Sequence, residues 1–246
     1  MFSIFKKKVF PATDYFPIVT DIHSHILPGI DDGAPDVDTS ILLIKGLMNL
    51  GITQSVATPH IIGDLYRNDA ATINKALALI KDALDEKQID FKITAAAEYM
   101  LDSYFLELLY LKTPLLTIKN NLLLTEFSYA DKPYNVEQIL FNIITEGYQP
   151  ILAHPERYGY YHNDLKQYNY LNELGFVFQV NLLSLTGYYG KPAARAANYI
   201  LKNNLASFVG TDLHHERHLN ALSDNKNKTL FEEALKGKIF NEDMQF

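Results

Sequence analysis

Cysteine is absent from this chain of 246 residues, which excludes disulfides, zinc fingers and iron–sulfur clusters and removes every mechanism built on a thiolate nucleophile. No apolar run approaches the about 18 residues that a membrane-spanning helix needs, so no stable membrane insertion is expected. The opening residues, MFSIFKKKVF, lack the apolar core and small-residue cleavage site of a secretory signal, and the expected location is the cytoplasm. Positive charge is in deficit as well: 22 Lys plus Arg stand against 29 Asp plus Glu, a formal net charge of -7. That balance argues against a broadly basic surface for gripping nucleic acid. Linkers and low-complexity blocks are missing, as are a P-loop, a G-x-S-x-G elbow, an H-E-x-x-H pair and a Gly-rich dinucleotide fingerprint. What remains is 48% apolar and 21% charged residues, enough for one domain with a sizeable core, and eight histidines to be explained. We expect residues 1–17 to form a terminal arm and residues 18–246 one domain.

The chain repeats a unit in which a helical stretch ends near a glycine, a short apolar run follows, and ionisable residues come next. Residues 36–50 carry apolar positions at helical spacing, Gly51 can stop the helix in the left-handed conformation, and ITQSVATPH runs as a strand into His60. Gly147 precedes PILAHPE and Gly175 precedes FVFQVN in the same way. Seven strand candidates result: IVTDIHSH, SVATPH, ITAAAEY, LLLTEFS, PILAHPE, FVFQVN and SFVGTDLHH. Helical segments at 36–50, 69–86, 100–110, 134–146, 164–174 and 191–204 separate most of them, which predicts parallel strands with right-handed crossovers. A closed barrel and a doubly wound sheet both satisfy that alternation. The chain length and the ionisable residues after almost every strand favour the barrel, where all carboxyl ends converge on one mouth. The tail after Gly210 reads as a loop and a closing helix, and the tyrosines of YGYYHNDLKQYNYL are expected to cover a core edge rather than line a binding mouth.

His23 and His25 are two apart, so on a strand both imidazoles face the same side and can reach one metal ion. His60, Glu98, Glu126 and His154 each leave the end of a further strand, and Asp212 and His214 repeat the two-apart geometry at the seventh. Five histidines and three carboxylates form an oxygen and nitrogen ligand set without sulfur, more than one ion needs. Packed this densely, they would repel or lose charge unless cations sat among them. Asp31 or Asp32, in PGIDDGAPD, could be a ninth ligand or a turn and cap residue. Arg157, three residues after His154, and Arg217, three after His214, are placed to hang over the same mouth, where a guanidinium would meet an anionic substrate in bidentate fashion. The segment from His215 to His218 has the wrong spacing for a zinc protease and is expected to be loop.

DIHSHILPGIDDGA, TPH, AAEY, LTEFS, LAHPERY and TDLH occur in that order from about residue 20 to about residue 218. Together they resemble the signature of the polymerase-and-histidinol-phosphatase (PHP) family, and within it the bacterial metal-dependent tyrosine phosphatases of capsule and exopolysaccharide synthesis. The resemblance implies an α/β fold, a distorted seven-stranded (β/α) barrel, TIM-barrel-like and holding three divalent metal ions, manganese first, with iron or zinc as alternatives. It implies that His23, His25, Glu98 and Asp212 bind one ion, that Glu98 bridges to a second held also by Glu126 and His154, and that Asp32, His60 and His214 hold the third. It matches Arg157 and Arg217 to arginines that contact phosphate. After His60 the chain departs from the pattern, reading IIGDLYRND without the basic or histidine-rich residues that often follow there; Arg67 is the candidate substitute.

Three divalent cations contribute about +6, the four carboxylates about -4 and one bridging hydroxide -1, leaving roughly +1, a site suited to a phosphate dianion. The expected reaction is in-line attack of that hydroxide on a phosphotyrosine, with Asp212 among the catalytic groups and Arg157 and Arg217 spreading charge on the phosphoryl oxygens. The expected partners are a phosphotyrosine protein and a tyrosine kinase of polysaccharide export. The alternatives are a phosphatase for a small substrate such as histidinol phosphate, and a binding module with a vestigial metal site.

Overall fold

Short strands alternate with amphipathic helices in the computed structural model, which describes residues 16–238 and 240–244. The expected terminal arm therefore lies outside the described residues except for Phe16 and Pro17, of which Phe16 packs edge-on against Phe231 at 6.1 Å. Helix α1 (Val37–Asn49) starts where the Asp36 carboxylate accepts the Thr39 N–H at 2.8 Å, and it buries Ile41, Leu43, Ile44 and Leu47. Gly51 follows it with φ +91°, the left-handed turn expected there. Helix α2 (Ala70–Glu86) opens with a reciprocal cap between Asp69 and Thr72. Helices α3 (Ser103–Tyr110), α4 (Val136–Thr145), α5 (Lys166–Leu174) and α6 (Lys191–Lys202) occupy the remaining segments that spacing predicts.

The segment expected to be loop after His214 is instead helical. Helix α7 (Glu216–Ser223) begins where the His215 ring accepts the His218 N–H, and it buries His218, Leu219 and Leu222. Its short apolar stripe is completed by a partner that spacing alone does not reveal. Leu219 enters the space above Gly46 of α1, where an added Cβ would lie 2.0 Å from its side chain. Helix α8 (Asn225–Leu235) is the closing helix. None of the helices among the described residues is long and apolar enough to cross a membrane.

The seven strand candidates become nine strands: β1 (Thr20–Asp21), β2 (Gln54–Ala57), β3 (His60–Ile61), β4 (Lys92–Ala95), β5 (Glu98–Met100), β6 (Leu122–Glu126), β7 (Gln149–Ala153), β8 (Val177–Asn181) and β9 (Ala206–Gly210). The increase arises because SVATPH is interrupted at Thr58 and Pro59, and ITAAAEY at Ala96 and Ala97. Pro59 has no N–H for a ladder, and the Thr58 N–H turns aside to the Ser24 carbonyl at 2.8 Å. Among the described residues all strand pairs are parallel, in a three-stranded sheet β1-β2-β4 and a six-stranded sheet β3-β5-β6-β7-β8-β9. Beyond β1 and β9 the chain pairs again in parallel at Ser24 and Leu213, where the Asp212 N–H donates to the His23 carbonyl (2.8 Å) and the His25 N–H to that of Leu213 (2.9 Å).

Period two then sorts the six-stranded sheet into two faces. Leu123, Leu152, Phe178 and Val180 join the main core with the helices. Leu124, Ile151 and Ala153 form a separate small apolar cluster, with Leu122, Val177 and Phe208 packed against it. Further along the strands from that cluster, the same face turns polar: Glu126 comes two residues after Leu124, and Gln179 and Asn181 two and four residues after Val177.

Candidate metal centre

All nine sequence-predicted ligands meet at that polar end. They fall into four overlapping groups whose donor atoms lie within 4.8 Å of one another: His25, Asp32, His60 and His214; His23, His154 and Asp212; His23, His25 and Glu98; and His60, Glu98 and Glu126. Strand pairing produces the convergence. His60 stands opposite Glu98 in the β3–β5 register, and Met100 stands opposite Glu126 in the β5–β6 register. The pairing of Ser24 with Leu213 brings His23 and His25 beside Asp212 and His214. His154 and Asp212 have left-handed backbones (φ +35° and +50°), a conformation that a non-glycine residue holds only when its surroundings enforce it.

Within the cage, Nε2 of His23 and Nε2 of His25 lie 3.3 Å apart. They face Glu98 Oε2 at 3.2 and 3.3 Å and Asp212 Oδ1 at 3.4 and 3.5 Å. Their outer nitrogens are engaged: His23 Nδ1 donates to Gln179 Oε1 at 2.7 Å and His25 Nδ1 to Asp31 Oδ2 at 2.8 Å. His214 Nδ1 likewise donates to the Asp212 carbonyl at 2.9 Å. Each of these bonds holds a proton on Nδ1, so that Nε2 is the nitrogen left to give up its proton to an ion, the tautomer that a metal ligand requires. The Asp31/Asp32 alternative resolves into two positions: Asp31 is tied to His25 and to the Gly33 and His60 N–H groups, whereas the half-exposed Asp32 reaches His60 Nε2 (3.5 Å) and His214 Nε2 (3.6 Å).

The charge balance of the cage is that of a site made for cations. Burial disfavours a charge on His23, yet the Glu98 and Asp212 carboxylates outweigh it and push the imidazole up to about 10. His25, also buried, is pushed up to about 10 by Asp31 and Glu98. Burial works against ionisation of Glu98 and Asp212 too, but the surrounding histidines, and Arg157 for Asp212, hold both well below the usual carboxylate range. His214 goes the other way, down to about 4, through burial and the neighbouring His25. A direct test of fit comes from three buried atoms: His60 Nδ1 lies 3.1 Å from Glu98 Oε2 and 3.0 Å from Glu126 Oε1, and none of the three has a hydrogen-bond partner. Buried polar atoms are almost always paired. Three of them converging on one point fit a divalent cation held by nitrogen and oxygen.

A cavity of about 260 Å³ opens over the cage, walled in addition by Tyr129, Arg157, Tyr189, His215 and His218. Arg157 is fixed: its Nη1 donates to Asp212 Oδ2 at 2.7 Å, and its guanidinium carbon lies 5.0 and 4.2 Å from the ring centres of Tyr129 and Tyr189. Arg217 is exposed on the first turn of α7 and does not line the cavity. Arg67 lies against the Tyr104 ring at 4.5 Å, also away from the cavity. The tyrosine-rich stretch behaves as expected, with Tyr158, Tyr161 and Tyr168 buried in the main core.

Sequence reasoning missed Gln179, Asn181, Tyr129 and Tyr189. Gln179 Nε2 donates to Asn181 Oδ1 (2.9 Å) and Asn181 Nδ2 to Asp212 Oδ2 (2.7 Å), so two neutral amides link His23 to Asp212. The available signal was two polar residues at i and i+2 at the end of an otherwise apolar strand.

The capsular polysaccharide synthesis family CpsB/CapC matches residues 19–230. The tyrosine-protein phosphatase YwqE of Bacillus subtilis is 31% identical over 195 residues, 79% of this chain and 76% of the relative. The tyrosine-protein phosphatase CpsB of Streptococcus agalactiae serotype V is 28% identical over 199 residues, 79% of this chain and 82% of the relative. A crystal structure described as that of YwqE from Bacillus subtilis and CpsB from Streptococcus pneumoniae, metal-dependent tyrosine phosphatases, superimposes with a TM-score of 0.75 at 27% identity, over 90% of this chain and 96% of the other.

Proposed function

Because the chain belongs to the CpsB/CapC family of capsular polysaccharide synthesis, we propose that it is a metal-dependent phosphatase that hydrolyses phosphotyrosine in proteins and acts in the control of capsular or extracellular polysaccharide formation. The activity named for its relatives supports the substrate. The observation that carries the metal dependence is the meeting of His60 Nδ1, Glu98 Oε2 and Glu126 Oε1, buried and without hydrogen-bond partners. His23, His25, Asp32, His60, Glu98, Glu126, His154, Asp212 and His214 would hold three divalent cations, Mn2+ foremost. When bound, these ions supply Lewis-acid charge and make water nucleophilic near neutral pH.

The chain's own residues do the rest. Asp212 presents Oδ1 to the cage while Asn181 and Arg157 occupy Oδ2, so its orientation is set before substrate arrives. The remaining N–H groups of Arg157 are free to grip two phosphoryl oxygens. Arg217, exposed at the start of α7, would add charge at the rim. A phenolate, with a parent pKa near 10, leaves with less proton assistance than an alkoxide. The pairing of Ser24 with Leu213, together with β2–β3 and β4–β5 taken as interrupted single strands, supports one distorted seven-stranded (β/α) barrel over residues 18–246. In this reading the enzyme works in the cytoplasm on a phosphotyrosine protein, a tyrosine kinase of polysaccharide export being the partner we propose.

The test is hydrolysis of a phosphotyrosine peptide by protein stripped with a chelator and then reloaded with Mn2+. Turnover should be lost on stripping and return on loading. Loaded protein with no turnover would overturn the proposal.

A further inference from the structure

Resting on that phosphatase reading, we propose that Tyr129 and Tyr189 are specificity-determining walls that select phosphate esters of planar aromatic alcohols over alkyl esters. Both rings line the cavity above the cage, and both lie against the guanidinium of Arg157. Tyr129 differs in kind from the tyrosines of the core, keeping 45% of its surface exposed while Tyr158, Tyr161 and Tyr168 are sealed, and Tyr189 is partly buried at the core's edge.

Tyr129 is held on several sides. Its ring stacks on that of His154 at 5.8 Å with 22° between planes, and its hydroxyl is hydrogen-bonded to His154 Nδ1 at 3.2 Å. Tyr189 packs edge-on against Tyr188 at 5.1 Å and against His218 at 6.2 Å. Gly187 and Gly190, with φ of +81° and +95°, turn the chain on either side of this tyrosine pair. Fixing Arg157 does not require two rings, because Asp212 already binds it at 2.7 Å. Two oriented aromatic surfaces therefore stand at a polar mouth, in place before any ligand arrives.

The chemistry of the ligand follows from where its phosphate must sit. In an aryl phosphate the ring is joined to phosphorus through a single ester oxygen. Once the phosphoryl group reaches Arg157, that ring meets the exposed parts of Tyr129 and Tyr189, edge to face or offset, both favourable arrangements. A phosphoserine offers only a methylene at the same place. Aromatic contacts of this kind amount to roughly a three- to tenfold preference.

The experiment compares Mn2+-loaded wild type with Tyr129→Phe, Tyr129→Leu and Tyr189→Leu. The first readout is the ratio of kcat/KM for a phosphotyrosine peptide to that for the same peptide carrying phosphoserine. The second is calorimetric affinity for phenylphosphonate against methylphosphonate, neither of which is hydrolysed. Both ratios should fall roughly three- to tenfold in the two leucine variants and hold in Tyr129→Phe, which keeps the ring and loses only the bond to His154. Tyr189→Leu leaves His154 untouched, so failure of one variant to fold leaves the other to decide. Unchanged ratios in the leucine variants would overturn the inference while leaving the phosphatase reading standing. A wild type that hydrolyses neither peptide would overturn the phosphatase reading, and the phosphonate pair would then decide the aromatic walls by itself.

Discussion

Leu124 and Glu126 stand two residues apart on one face of one strand, yet they belong to regions built on opposite principles. Leu124, Ile151 and Ala153 are apolar and fully buried, and the partly buried Leu122, Val177 and Phe208 that pack against them are apolar too. Around Glu126 stand buried imidazoles and carboxylates, three of whose polar atoms have no hydrogen-bond partner. The apolar end is at its free-energy minimum as it stands, through dispersion and removal from water. The polar end is not, since each unpaired buried group costs about 1–3 kcal/mol. Left-handed backbone at His154 and Asp212 adds to the expense on that side. The shared strands let one region carry the burden of the other: the lower half of the face supplies rigidity, and the upper half spends it on a constellation that waits for cations.

Exchanging side chains at the two ends should separate stability from activity. The largest effect is expected for Asp212→Asn, which keeps the bond from Arg157 but removes the charge that faces His23 and His25. Phosphotyrosine hydrolysis should fall on the order of a thousandfold, with thermal unfolding of the metal-free protein shifted by no more than a few degrees. A variant with wild-type turnover would contradict the assignment of the cage. Ile151→Ala, at the apolar end, should do the reverse. It leaves a cavity against Leu124 and Ala153 and should cost about 3 kcal/mol in urea unfolding, with Mn2+ affinity per folded molecule unchanged. A drop in affinity matching the drop in stability would mean that the two ends are not separable.

Most of this division could be read from the chain. The helices follow from apolar spacing and glycine stops, and eight of the nine candidate ligands from polar residues placed where strands end, whereas the choice of Asp32 over Asp31 rests on the family resemblance. Convergence of strand ends is a property of parallel topology, so side chains far apart in the chain, such as His23 and Asp212 or Glu98 and His154, need no local signal to meet. What the chain concealed depends on neighbours. The HERH segment becomes helix because Gly46 of α1 admits Leu219, a contact between residues far apart in sequence. Arg157 and Arg217 have equivalent spacing from a histidine, yet one is clamped by Asp212 and two tyrosines and the other faces solvent. Spacing places a residue near a mouth; only packing decides which way its side chain turns.

Gln179 sits on the border between the two regions, with Val177 of the apolar end behind it and Asn181 ahead, and it sharpens the comparison furthest. Its carbonyl accepts from His23 Nδ1 while its amide donates to Asn181, which in turn donates to Asp212. A leucine there would match the apolar end in character and abolish the link at the polar end. If Gln179 only filled space beside Gly210, where a Cβ would lie 2.9 Å from its amide nitrogen, Gln179→Leu and Gln179→Glu would both lower stability and leave Mn2+ affinity alone. If it orients His23, Gln179→Leu should weaken Mn2+ binding about ten- to a hundredfold. Gln179→Glu should recover much of that loss, because a carboxylate still accepts the Nδ1 proton even though it cannot donate to Asn181. Calorimetric titration of the three proteins with Mn2+, set against their unfolding in its absence, distinguishes the two: equal affinities would reduce Gln179 to packing, and the graded order of wild type, glutamate and leucine would make the amide pair part of what aims the cage.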